Sequence, residues 1–343
     1  MSRQSGVEKT INYAALIEGK QPFFIESADA LRETDVEASV VSRYEPDSGV
    51  QNPWWARVYE GWTAVALAYW KSRDLRCVLS REGQVRLYGA RGKPDHTFQI
   101  SQAGVFGVGA TGLGYVNRIR VIGDDLYVCG QSRQVWRFEY DGLDLASGQW
   151  MDFAGLMRQS PMSGPPADDA DALTRWLDEN DAVDLVDIHG SSDADIYAIG
   201  DEAWHWNGRT WTQLPLPTEE PLSSIKVVSH AQVYLAGQNG TLLMGNAREG
   251  FEELSTVNDE QNFTSVELFG GSLYLASNTG LFVYDFASGR IERYRSGLIP
   301  ELQDAHLLEA QDGIMWSFGF KDLAWFDSTA WHRVDHPDNP PIR

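Results

Sequence analysis

Five titratable residues occupy matching places in short apolar runs of this chain. They are Arg120 in Ile119-Arg120-Val121, Asp187 in Val186-Asp187-Ile188, Lys226 in Ile225-Lys226-Val227, Glu267 in Val266-Glu267-Leu268 and His306 in Ala305-His306-Leu307. Side chains alternate between the two faces of a strand, so in strands these five share one orientation. Such a set supplies a general base in His306 and an acid or metal ligand in Asp187 or Glu267, enough for a lyase or hydrolase. The order in the chain is plus, minus, plus, minus, histidine. Each charge therefore has an opposite neighbour, which is what buried charges require. The pattern favours mutual neutralisation over catalysis.

Other motifs carry less. Gly107-Val-Gly109-Ala-Thr-Gly112 fits G-x-G-x-x-G, but Tyr115 to Val121 continues as a strand, and no helix N-terminus follows to hold a pyrophosphate. A mobile glycine-rich loop is the simpler reading. The seven histidines show neither H-E-x-x-H nor paired metal spacing, although Asp187 and His189 share a strand face. Asp168-Asp-Ala-Asp171 lacks the glycine and distal glutamate of a calcium loop. No catalytic residue, metal or cofactor is assigned from sequence.

The elements that place these residues belong to a repeat. Asp195-Ile-Tyr-Ala-Ile-Gly200 with Ala203-Trp-His-Trp-Asn-Gly-Arg-Thr-Trp211 has counterparts at Asp125–Trp150, Val233–Gly237, Ser272–Asp285 and Ile314–Trp331. The small or apolar residues closing these runs, Ser80, Gly130, Gly200, Gly237, Ser277 and Phe318, are spaced by 50, 70, 37, 40 and 41 residues. A period near 40 with an Asn-Gly hairpin turn at 207–208 predicts four-stranded propeller blades. Six units start near residues 63, 117, 184, 223, 264 and 303. Residues about 20–61 supply a divergent seventh blade or complete the last one, so seven blades are favoured over six. The unit resembles the bacterial propeller repeats of the kelch and sialidase-like group over about residues 60–336. It lacks the Gly-His and Trp-Asp dipeptides of WD repeats. The resemblance implies an all-β propeller and transfers no catalytic residue. The domain reading is an N-terminal extension over 1–19 and one propeller over 20–343. Most tryptophans recur at strand positions and read as core, whereas Trp54, Trp55, Trp62 and Trp70 lie outside the clean repeat.

The long interval marks an insertion at about 155–183. Ser160-Pro-Met-Ser-Gly-Pro-Pro166 is turn-rich, and Asp168 to Asn180 reads as a short helix with an apolar stripe of Leu173, Trp176 and Leu177. Residues 168–202 carry twelve acids against one base, Arg175. Residues 71–95 carry seven bases and three acids, so the molecule should be polarised. The chain of 343 residues has a formal charge of −21, which opposes direct binding of nucleic acid or anionic membrane. Cys77 and Cys129 do not make a disulfide framework, no apolar run reaches membrane-span length, and no signal-peptide pattern opens the chain. These features predict a cytoplasmic protein without enzymatic activity that engages a basic protein partner. The concrete version is an immunity or inhibitor protein neutralising a basic, nuclease-like toxin. Asp168, Asp169, Asp171, Trp176, Asp178, Glu179 and Asp181 are the predicted contact residues. A channel enzyme and a general assembly scaffold are the alternatives.

Overall fold

The computed structural model describes residues 7–34, 36–89, 95–107, 109–142, 144–158, 183–254 and 261–342. Seven four-stranded antiparallel sheets form a ring, and in each the strands follow chain order. The blades span residues 9–60, 64–99, 116–152, 185–213, 222–253, 263–293 and 307–334. The first strand of every blade packs against the first strands of its neighbours and so forms the inner wall. This is a β-propeller with seven blades.

The local chemistry of each blade is visible in the fourth. Leu185–Ser192 and Asp195–Gly200 pair across a tight turn, and Ala203–Trp206 joins Trp211–Gln213 through Asn207-Gly208. Asn207 Oδ1 accepts from the N–H groups of Arg209 and Thr210 at 3.0 and 3.1 Å. Gly208 sits at φ +86°, a conformation that suits glycine.

Apolar cores lie between blades. Tyr197, Ile199 and Ala203 of the fourth pack on Leu222, Ile225, Val233, Leu235 and Leu243 of the fifth. Tyr127 and Cys129 of the third likewise meet Ile188 and Ile196 of the fourth. Each such buried side chain is worth roughly 1.5–3 kcal/mol relative to exposure, and a blade alone would leave both faces wet. Trp136, Trp150, Trp211, Trp316 and Trp331 are buried, as is Trp70, whereas Trp55 is 52% exposed.

The segment 54–60 is the outermost strand of the first blade, so residues 20–61 belong to a seventh blade and do not complete the last one. The strand Lys9–Glu18, inside the segment read as an extension, is the inner strand of that blade. The ring thus begins at Lys9. Among the described residues no strand is shared between the first and last blades, and closure falls to other contacts. Ile11 N–H donates to Phe320 O at 2.8 Å, and Trp316 Nε1–H donates to Gly19 O at 2.8 Å. The C-terminal tail folds back: Asn339 exchanges two hydrogen bonds with the Lys9 backbone, and the buried His336 meets the buried Glu26 at 2.7 Å.

Strand reversal sorts the connections onto two faces. The upper face carries the links from one blade to the next and the turns between second and third strands. The lower face carries the other hairpin turns.

Candidate functional site

The pairing of first with second strands defines which residues are equivalent along the inner wall. Arg120 lies opposite Tyr127, His189 opposite Tyr197, Lys226 opposite Tyr234, Glu267 opposite Tyr274 and Glu309 opposite Trp316. Ala68 opposite Cys77 and Ala15 opposite Phe23 complete this layer. Asp187 belongs one layer nearer the upper face, level with Arg118, Ser224 and Ser265. His306 precedes the strand Leu307–Gln311 altogether. The alternating five-membered ring expected from sequence is therefore not a single ring. The apolar flanks of Asp187 and His306 imitate the repeat, but Asp187 lies two residues before its blade's equivalent, His189, and His306 three residues before Glu309.

The charges nonetheless pair. Arg120 Nε and Nη2 donate to Asp187 Oδ1 and Oδ2 at 2.9 and 3.0 Å, and Arg118 Nε lies 3.2 Å from Oδ1. Burial alone would raise the Asp187 carboxyl, but Arg120 and Arg118 overcome it and hold it at about 2. Lys226 Nζ sits 2.5 Å from Glu267 Oε1. Burial still pushes Glu267 up to about 7 against the pull of Lys226. Arg120 Nη1 also reaches to 3.9 Å from Glu309 across the channel. Inner-wall acceptors tie blades together as well. Ile225 N–H donates to Asp187, Val227 N–H to His189 Nδ1 at 3.0 Å, and Val266 N–H to Ser224 Oγ at 3.1 Å.

This arrangement suits structure better than proton transfer. Burial, then Arg120 and Lys226, lower His189 to about 3, so it is neutral at pH 7 with Nδ1 already occupied. His306 is lowered to about 4 by burial and stacks on Phe320 at 4.8 Å between ring centroids. No hydrogen bond or ion pair links it to Asp187 or Glu267. Where Ala15 and Ala68 leave room, a polar cavity of about 150 Å³ opens beside Arg120, His189 and Glu309. Among the described residues, no group of three or more His, Cys, Asp or Glu side chains is arranged for a metal ion.

The predicted contact residues Asp168, Asp169, Asp171, Trp176, Asp178, Glu179 and Asp181 lie outside the described residues, as does the predicted helix. The two ends of their connection are well anchored on the upper face. Ala154 and Met157 are buried, Trp211 Nε1–H donates to Phe153 O at 2.8 Å, and Arg133 N–H donates to Val183 O at 3.2 Å. Asp201 and Glu219 stand exposed beyond it, while Arg133 is held bidentately by Glu202 at 2.6 and 2.7 Å. The basic window is largely neutralised where it is described: Arg86 pairs with Asp95, Arg81 with Glu37 and Arg73 with Asp124. Sequence reading missed Arg118, Glu309 and the wall role of His189. Counting two residues on from Asp187 would have found the histidine.

The chain is 30% identical over 226 residues to the Immune protein Tsi7 of Pseudomonas aeruginosa, a match that spans 65% of this chain and 65% of that protein. No family model matches the chain. Among solved structures, it resembles the WD40 propeller domain of Doa1, with a TM-score of 0.57, 9% identity, and 96% and 93% of the two chains covered. A catalytically inactive virginiamycin B lyase from Staphylococcus aureus, with quinupristin, gives a TM-score of 0.60 at 9% identity, covering 92% and 94%. At that identity the solved structures speak for the fold alone, a β-propeller.

Proposed function

We propose that this protein is an immunity protein that binds a basic, nuclease-like toxin in the cytoplasm and holds it inactive, without chemistry of its own. The observation that carries the reading is the likeness to the Immune protein Tsi7. Two further features support it. The inner-wall charges are consumed in ion pairs and interblade hydrogen bonds. Seven acids against one base, Arg175, fall between Asp168 and Asp184 in one blade-to-blade connection. A cationic partner approaching that connection is drawn by opposite charge, which raises the association rate and disfavours acidic competitors. Asp168, Asp169, Asp171, Asp178, Glu179 and Asp181 supply the field in this reading, and Trp176 supplies an apolar contact. No helix among the described residues is long and apolar enough to cross a membrane.

The test is co-expression with the protein encoded beside this gene, taken as the candidate toxin. Growth arrest by that protein alone, relieved when this chain is present, together with a stable complex on gel filtration, is the expected result. Persistent arrest, or no complex, would overturn the proposal.

A further inference from the structure

The link between the second and third blades, residues 100–115, is the glycine-rich segment read from sequence as a mobile loop. In the structure, residues 104–107 and 113–115 of it are held by hydrogen bonds. Glu82 Oε2 accepts three successive backbone N–H groups, from Val105, Phe106 and Gly107, at 2.9, 3.0 and 3.1 Å. Gly104 N–H donates to Gly114 O at 2.9 Å and closes the base of the loop. The buried Gln134 donates its amide to Leu113 O and Gly114 O, each at 3.0 Å. Gly104 itself is at φ +90°, and a Cβ there would stand 2.3 Å from Glu82 Oε2, so glycine is required for the carboxylate to dock. All this fixes a tip that presents apolar surface to water. Phe106 is 82% exposed and Val105 46%.

An isolated exposed side chain needs no explanation. A pinned one invites an explanation, because ordering a loop costs conformational entropy that a binding partner no longer has to meet. The loop also adjoins the acidic connection. Tyr115 N–H donates to Gln131 Oε1 at 2.8 Å, and the turn that carries Gln131 continues to Arg133, which touches Val183 at the end of that connection. The bases along this arc are spoken for: Arg81 by Glu37 and Arg133 by Glu202. Beyond them Asp201 and Glu219 face solvent. A protein with a cationic surface covers the arc without meeting a bare positive charge among the described residues.

We propose that Phe106 is the apolar anchor of the toxin interface. It enters a pocket on a folded, basic protein whose cationic surface faces the exposed Asp201 and Glu219. Glu82 is a positioning residue for that anchor. The inference rests on the immunity reading and deepens it by naming the face and the central contact. Aromatic anchors in desolvated pockets dominate many interfaces, with charged neighbours setting rate and register.

The probe is the protein encoded beside this gene, titrated calorimetrically into the full chain at several salt concentrations. Phe106→Ala should weaken binding roughly 30-fold or more while leaving the salt dependence unchanged, since no charge is removed. Glu82→Ala should weaken it roughly 5- to 10-fold, and Glu82→Gln should restore it, because an amide oxygen can accept the same three N–H groups. Val228→Asp, at an exposed lower-face position, should bind as the wild type. Wild-type binding by Phe106→Ala would overturn the anchor and leave the immunity reading standing. Failure of the wild type to bind at all would overturn both. Loss of self-association in Phe106→Ala, with partner affinity unchanged, would assign the loop to contact between copies and also refute the proposal.

Discussion

The inner wall of the ring and its upper rim carry charge in opposite ways. On the wall, Asp187 is 1% exposed and gripped by Arg118 and Arg120, and Lys226 is closed onto Glu267. On the rim, Asp201 and Glu219 face water, and the sequence from Asp168 to Asp181 carries six acids with Arg175 as the sole base. Wall charges have spent their electrostatic energy on partners within the fold, so removing one harms the fold. In the proposed reading the acids from Asp168 to Asp181 serve association instead, so removing them should harm binding and spare the fold. The proposed contrast is between residues that build the propeller and residues that bind the partner.

The largest effect should come from the wall. Asp187→Ala removes the shared partner of two mostly buried guanidinium groups, Arg118 and Arg120, and should lower unfolding stability by about 3–5 kcal/mol, read by urea denaturation. A loss below about 1 kcal/mol would mean that the wall charges are not mutually dependent. Next in size, reversing Asp178, Glu179 and Asp181 together to lysine should cost about 1–3 kcal/mol of binding to the basic partner and leave the urea midpoint nearly unchanged. An equal loss of stability would erase the distinction between wall and rim.

A third prediction uses pH. Burial holds His189 at about 3 in the fold, against 6.5 when free, so between those values the unfolded chain binds a proton that the folded chain refuses. His189 therefore erodes stability as pH falls from about 6.5 towards 3. Glu267, raised to about 7 from 4.5, acts with the opposite sign and erodes stability as pH rises between those values. His189→Gln keeps an acceptor for Val227 N–H. The stability gap between wild type and this variant should move in the variant's favour as pH is lowered through 6.5, measured by thermal melting in a pH series. A pH-independent gap would show that His189 titrates normally. The smallest effect belongs to the outer edge: Trp55→Ser, at a half-exposed position, should change stability by no more than about 0.5 kcal/mol.

The blades were legible because a turn, a small residue and a recurring aromatic mark each one. The first blade was harder to see. Lys9–Glu18 offers Ile11, Ala14, Leu16 and Ile17 to the core but has no repeat signature around it. Its membership shows only in contacts with residues some 300 positions away, such as Gln311 to Ile17 O. Local pattern carries no information about that pairing. The wall residues were partly legible. Arg120, Lys226 and Glu267 share one layer, but Asp187 and His306 lie two and three residues before their blades' true equivalents, His189 and Glu309, because their apolar flanks fit the repeat equally well. The Phe106 loop was least legible. Its glycines indicate freedom, and nothing local reveals that Glu82, more than twenty residues earlier, captures three of its N–H groups.

The central claim is that the acidic rim is the binding surface for a basic protein. The most direct measurement is the dissociation constant between this chain and the protein encoded beside its gene. It should be determined across a salt series for the wild type and for the Asp178, Glu179 and Asp181 lysine triple variant. The account predicts wild-type affinity that falls as salt rises, and a variant that binds more weakly with a flatter salt dependence. Equal affinity and equal salt dependence for the two proteins would contradict it.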